Sequence, residues 1–344
     1  MRNNPTIRDA AKAAGVSVAT VSRVLNEKLD VAEETRQKVL KTINEIGYVK
    51  RTQWQQLTSG KTRIISLHYP RKATTEDQLS HDFFIGASAA CEEQGYSLHL
   101  ITQSLDENRL LELYQAQQSD GIILMEVRLT DWRVDFLRKN QLPFVMIGRC
   151  KENDGVSFVD LDMESAVEIA IDHLVSVGHE RIGFISILPD PRRKQYGPTI
   201  RAADGYQNAC KRHKLSPIYC EANNEIYTIS EAVSNLLDAH PETTAIVGAT
   251  DMAAIGIYDA IRTRGLQIPE DISVVGCTND QYAGLFTPSL TAIEFPSWMM
   301  GYEAGKLLIE KLENSAADVV QNLLEPKLVV RNSSGLARTV SSPE

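Results

Sequence analysis

Arg23 lies in a short run, SVATVSRVLN at 17–26, that sets one guanidinium among small, apolar and hydroxylated side chains. Those residue types suit contact with the edges of nucleic-acid bases. A guanidinium donates two parallel hydrogen bonds to guanine O6 and N7, and small apolar groups such as Val18 and Ala19 meet a thymine methyl. Ser17, Thr20, Ser22 and Asn26 have the hydrogen-bonding groups to bind phosphates or bases. Residues 48–63 add Lys50, Arg51, Lys61 and Arg63 without a single acid. Residues 1–63 carry 12 Lys and Arg against 6 Asp and Glu, whereas the whole chain is at −9, which leaves about −15 on residues 64–344. A basic end on an acidic protein concentrates attraction for a polyanion in one place and opposes adhesion elsewhere.

Other chemistries find little support. The chain has no G-x-S-x-G, no G-x-x-x-x-G-K-[S/T] and no His pair at metal-ligand spacing. Cys91, Cys150, Cys210, Cys220 and Cys277 are scattered with no C-x-x-C, so free thiols in a reducing compartment are expected rather than disulfides or zinc. No catalytic residue, metal or cofactor is expected. The N-terminal residues lack the apolar core of a signal peptide, and no apolar run approaches the ~18 residues of a membrane span, so a cytoplasmic protein without membrane contact is expected.

Three short helices must position the basic end. Thr6-Ile7-Arg8-Asp9 has capping-box spacing, Ile7, Ala10, Ala11 and Ala14 give one apolar face, and Gly15 stops the first helix. Ser17 caps a second helix running to about Leu25, with Val21, Val24 and Leu25 inward and Val18, Ala19, Ser22 and Arg23 outward. A third spans Glu33 to Ile46 with Val39, Leu40, Ile43 and Ile46 as its buried stripe. A helix-turn-helix lays its second helix in the major groove, so small and polar residues near that helix's start are what base reading requires.

From Ile64 short apolar runs alternate with helical stretches. Strands are expected at 64–67, 98–101, 121–124, 144–147, 182–186, 245–248, 273–276, 291–293 and 328–330, with helices near 84–94, 107–118, 162–177, 200–213, 230–239, 252–264 and 298–313. Strands buried on both faces between helices imply doubly wound parallel sheets, and about 280 residues of this pattern suits two sheets better than one.

Residues 6–26, TIRDAAKAAGVSVATVSRVLN, followed by Val31, Thr35, Arg36, Val39 and Ile46-Gly47-Tyr48, strongly resemble the head of the lactose/galactose repressor family. The resemblance continues at lower density through GASAACEEQGY at 86–96, Asp120 to Ile123, PFVMIGR at 143–149, HLVSVGHERIGFI at 173–185 and IPEDISVVG at 268–276. It implies an α-helical helix-turn-helix head on an α/β, periplasmic-binding-protein-like (type I) effector domain of two doubly wound lobes. The implied divisions are a head at 1–48, a hinge at 49–62, the two-lobed domain at 63–336 and a tail at 337–344. One lobe would take about 63–161 plus 294–325, the other 162–293 plus 326–336.

By the same resemblance Val18, Ala19 and Arg23 are base readers, Gln55 and Leu57 fall in a hinge helix, and Leu57 wedges into the minor groove of a palindromic site. Thr6, Ser17, Thr20, Ser22 and Asn26 complete the DNA-contacting set of the head. Three departures stand out. Lys50-Arg51 replaces the family's Pro-Asn, shifting operator affinity toward phosphates. Trp54 stands where the family favours Ala, and Ala32 where a capping Ser is usual, a loss of roughly 1 kcal/mol partly offset by Glu33 and Glu34.

Family position carries Ser80, Arg149, Arg201, Thr250, Asp251, Thr278, Asn279 and Phe295 into a ligand cleft, with His81, Asp82 and Tyr196 as further candidates. A guanidinium such as that of Arg201 can hold vicinal hydroxyls or a carboxylate. The family arginine, however, sits three residues before the glycine that Gly205 matches, where this chain has Ala202. Asp251 opens a helix after a strand and suits capping equally well. Thr278 and Phe295 stand where the family often has acidic or amide residues, which removes hydrogen-bonding groups and adds an aromatic platform. The resemblance therefore implies a regulator, in the repressing sense, controlled by a sugar-like effector, with a nucleobase or acid as the alternative. The tail lacks the leucine heptad that makes the lactose repressor a tetramer, so a homodimer on double-stranded operator DNA is expected. A transporter's solute-binding protein, an enzyme and a ligand-free architectural protein are the rivals.

Overall fold

A computed structural model describes residues 5–25, 28, 31–46, 61–70, 78–188, 195–314 and 316–338. The chain forms two compact units, Met1–Thr62 and Arg63–Glu344.

The first unit holds α1 (Ile7–Ala14), α2 (Val18–Leu25) and α3 (Glu33–Ile46). The capping box forms as expected, with Thr6 Oγ1 accepting from the Asp9 amide while Asp9 accepts from Thr6. Gly15 ends α1 in the left-handed region at φ 68°, a conformation that leaves other residues strained. Ala10, Ala11, Ala14, Val21, Val24 and Val39 form the core. Leu40 departs from expectation: it is 44% exposed, because Val39, one position earlier, takes the buried place and the helix turns Leu40 outward by about 100°.

The second unit contains two six-stranded sheets. The first is built from β1 (Ile64–His68), β2 (Ser97–Ile101), β3 (Gly121–Leu124), β4 (Phe144–Ile147), β5 (Phe158–Leu161) and β11 (Gln321–Leu324) in the order β11-β5-β4-β3-β1-β2, all parallel. The second uses β6 (Ile182–Leu188), β7 (Ile218–Asn223), β8 (Ala245–Gly248), β9 (Ser273–Thr278), β10 (Thr291–Glu294) and β12 (Leu328–Val329) in the order β12-β10-β9-β8-β6-β7. Only β12 runs antiparallel to its neighbour there.

Helices α4 (Gln78–Glu93), α5 (Glu107–Gln115), α6 (Trp132–Lys139), α7 (Met163–Ser176), α8 (Gly197–His213), α9 (Ile226–Ala239), α10 (Asp251–Thr263), α11 (Asp280–Ala283) and α12 (Ser297–Glu313) connect or cover the strands. β3, β4, β8 and β9 are buried along their whole length, which is why they read as unbroken apolar runs. Helices α4 and α12 pack backbone to backbone. A Cβ added at Gly86 would stand 2.0 Å from the Trp298 carbonyl oxygen, and one at Gly301 would stand 2.2 Å from that of Phe83. The chain passes between the sheets three times, after β5, after β10 and after β11.

Candidate functional site

In the head, α2 buries Val21 and Val24 and leaves Val18 (42% exposed), Ala19 and Arg23 on the opposite side, with Ser22 beside them. The four lie at i, i+1, i+4 and i+5, which makes one surface strip. Ser17 Oγ caps the helix by accepting from the Thr20 amide at 3.0 Å and pairs with Thr20 Oγ1 at 2.8 Å, so both hydroxyls order the start of α2. Arg36 Nη2 donates to the Lys28 carbonyl at 2.6 Å and ties α3 to the segment after α2. Asn26, Lys50, Arg51, Gln55 and Leu57 lie outside the described residues, as does Trp54.

In the large unit the candidate residues gather at the carboxyl ends of strands, where open parallel sheets place ligands. Arg149 follows β4, Asp160 is in β5, Thr250 and Asp251 follow β8, Thr278 ends β9, Asn279 follows it and Phe295 follows β10. Ser80 is in the first turn of α4 and Arg201 is on the second turn of α8.

Two clusters form. In one, Arg149 Nε donates to Asp160 Oδ2 at 3.1 Å and its Nη2 is 3.8 Å from Asp162. Arg201 reaches in from the second sheet's helix, and its Nη2 donates at 3.1 Å to the carbonyls of both Arg149 and Cys150. Its Nη1 is buried without a hydrogen-bond partner, 3.9 Å from Asp160 Oδ2. Arg201 thus engages the backbone at the end of β4. Burial lowers its pKa, with Arg149 adding repulsion. Asp160 is 4% exposed, and burial raises its carboxyl to about 6 despite the two guanidinium groups.

In the second cluster Asn279 Nδ2 donates to Asp82 Oδ2 at 2.7 Å, and Ser297 Oγ donates to the same oxygen at 3.2 Å. Phe295 meets Phe83 edge to face at 5.9 Å, half-buried as an aromatic wall. Thr278 is fully buried and its Oγ1 has no hydrogen-bond partner. Thr250 and Asp251 both serve the start of α10: Thr250 Oγ1 accepts from the Ala253 amide at 3.0 Å and Asp251 Oδ1 from that of Met252 at 2.8 Å. Tyr196 sits at the N-cap of α8, and His81 is exposed, 3.9 Å from Asp82.

Sequence reasoning missed Asp160, Asp162 and Ser297. It also missed a third group, His68, Asp131 and Arg133, all buried. The one signal in the sequence was an Asp-x-Arg pair at a helix start, which reads as ordinary capping. The arrangement offers guanidinium, carboxylate, amide and aromatic groups, which suits holding a small polar molecule. Among the described residues no group of three or more His, Cys, Asp or Glu side chains is arranged to hold a metal ion, and no helix is long and apolar enough to cross a membrane.

Residues 6–50 match the pattern of bacterial regulatory proteins of the lacI family, and residues 171–334 that of a periplasmic binding protein-like domain. The chain is 30% identical to catabolite control protein A of Priestia megaterium over 327 residues, 92% of this chain and 95% of the relative. The solved complex of transcriptional regulator CelR with cellobiose is 26% identical, with a TM-score of 0.70 over 96% of this chain and 99% of that one. The Lac repressor dimer bound to operator and the anti-inducer ONPF shares the fold at a TM-score of 0.82 and 23% identity, covering 97% of this chain and all of that one.

Proposed function

The chain belongs to the LacI family and is a DNA-binding transcriptional regulator, and from that premise we propose that it represses transcription from a palindromic operator under the control of a sugar-like effector. The observation that carries the reading is the meeting of polar groups from both lobes: Arg149, Asp160 and Asp82 from the first, Arg201 and Asn279 from the second. A molecule held between them would contact both lobes at once and so bias their separation. The cellobiose in the CelR complex supports a sugar as the class.

In this reading the head is residues 1–48, the hinge 49–62 and the effector domain 63–336, its lobes dividing near 161–162, 293–294 and 325–326. Two copies pair and present two α2 helices to half-sites, with Val18, Ala19 and Arg23 on base edges and Lys50, Arg51, Gln55 and Leu57 on the backbone and minor groove. Closure of the lobes changes how the two hinges approach. A coupling of about 1–3 kcal/mol shifts operator affinity about 5- to 150-fold. The protein regulates without catalysing a reaction.

Fluorescence anisotropy of the full chain on selected operator duplexes tests this, with sugars, sugar phosphates, nucleobases and organic acids added in turn. A sugar that shifts the binding curve supports the proposal. A nucleobase or an acid acting alone overturns the effector class and leaves the regulator standing.

A further inference from the structure

Arg133 uses every donor that its guanidinium has. Nε donates to Asp131 Oδ1 at 2.9 Å, and Nη1 donates to His68 Nδ1 and to the Met125 carbonyl, both at 3.1 Å. Nη2 donates to the Glu126 carbonyl at 3.0 Å and to Asp131 Oδ2 at 2.6 Å. Asp131 is held in turn by the amides of Arg128 and Arg133. A guanidinium only donates, so His68 Nδ1 accepts and its Nε2–H is directed at the Gln103 carbonyl, 3.1 Å away. All three side chains are buried.

This effort fixes one short segment, the β3–α6 loop at 125–131. Within it Glu126 is left-handed at φ 56°, a conformation that costs a non-glycine residue about 1–2 kcal/mol and persists where the surroundings dictate it. The next residues leave the first lobe. Leu129 N donates to the Gln195 carbonyl at 2.8 Å, Gly197 N to the Val127 carbonyl at 3.4 Å, and Arg128 and Tyr196 form an antiparallel bridge. Residues 195–197 lead into α8, the helix that returns Arg201 to the Arg149 and Cys150 carbonyls.

We infer that Arg133 is a positioning residue for closure of the two lobes: by stapling loop 125–131 it holds Val127 and Leu129 as a preformed strand edge on which the second lobe docks through residues 195–197. This goes beyond the proposed function, and its test needs no effector, so a failed sugar panel leaves it untouched.

The test is amide hydrogen exchange of the full-length protein, read peptide by peptide. Leu129→Pro removes the donor to Gln195 without touching the buried group, and sets the signature of an undocked junction: exchange across 195–201 at least tenfold faster. Arg133→Lys keeps the charge and cannot make the five bonds. The expected result is the same tenfold acceleration across 195–201, with peptides of β1 and β3 unchanged. A rise confined to 125–133, or one spread through the whole first lobe, overturns the inference, since a purely structural arginine gives one or the other. No acceleration in Leu129→Pro also overturns it, because the bridge is then no dock. Should Arg133→Lys not fold, the double variant Asp131→Asn with Arg133→Gln, which removes the bonds from the guanidinium to the Met125 and Glu126 carbonyls without leaving a buried unpaired charge, carries the same outcomes.

Discussion

Asn279 and Asp82 join the two lobes by a single hydrogen bond, Nδ2 to Oδ2 at 2.7 Å, while Asn279 Oδ1 accepts from the Tyr282 amide and so cannot turn away. The bond has a direction. Asn279→Asp preserves the cap on α11 but sets two carboxylates face to face, and is expected to lower stability by about 1–2 kcal/mol. Adding Asp82→Asn restores one donor and one acceptor, and most of the loss should return. Urea unfolding of the two single variants and the double variant gives the coupling directly. Strict additivity would mean that the link contributes nothing.

His68 gives the second prediction. Burial, followed by repulsion from Arg133, lowers its pKa from 6.5 to about 4, against weaker opposition from the Gln103 carbonyl and Asp131. The unfolded chain therefore takes up this proton before the folded one. The stabilising effect is complete above pH 6.5 and is lost as the pH falls toward 4, roughly 2 kcal/mol between pH 7 and pH 4.5. Unfolding midpoints of the wild type and His68→Asn at those two pH values should show a correspondingly shallower acid loss in the variant. Equal slopes would mean that folding does not lower the His68 pKa.

The strands that were legible in the sequence carry short, mostly apolar runs, the edge strand β2 with Leu98 to Ile101 among them, and those that were not have acidic or amide residues within the run. β7 alternates exposed and buried residues through Tyr219, Cys220 and Glu221, β11 begins Gln321-Asn322, and β5 has Asp160 in its middle. Each breaks the apolar run by which a parallel strand is recognised. The α2 surface was legible for the opposite reason: helical spacing alone separates Val21 and Val24 from Val18, Ala19, Ser22 and Arg23. The candidate ligand residues were reached only by family position. Arg201 Nη2 hydrogen-bonds across the lobe junction, a pairing of residues 52 positions apart that no local pattern encodes.

Close approach of α4 and α12 gives a third prediction. Gly301→Ala would bring a methyl carbon to 2.2 Å from the Phe83 carbonyl oxygen, and that atom is backbone, so one helix has to move. A cost of about 1–3 kcal/mol is expected. Gly284→Ala is the control, since its nearest contact is 3.4 Å and its backbone is right-handed at φ −69°. That change should stay within about 0.5 kcal/mol. Thermal unfolding of both variants compares them, and equal effects would mean the helices have room to spare.

Arg23 and Thr6 separate reading from folding in the head. Thr6 Oγ1 caps α1, so Thr6→Ala should cost about 1 kcal/mol of head stability and weaken binding alike on every DNA sequence. Arg23 is exposed on the strip opposite Val21 and Val24, where a major-groove helix meets bases. If it reads a guanine, Arg23→Ala should lose about 1–3 kcal/mol on the preferred operator and almost nothing on a duplex altered at that one base pair, with the salt dependence little changed. Arg23→Lys keeps the charge without the fork and should recover part of the affinity. A phosphate contact predicts otherwise: a uniform loss over all sequences and a salt slope smaller by about 1. Anisotropy titrations of the three variants on both duplexes at two salt concentrations distinguish these cases, because specificity at one position and sensitivity to salt cannot both follow from the same kind of contact.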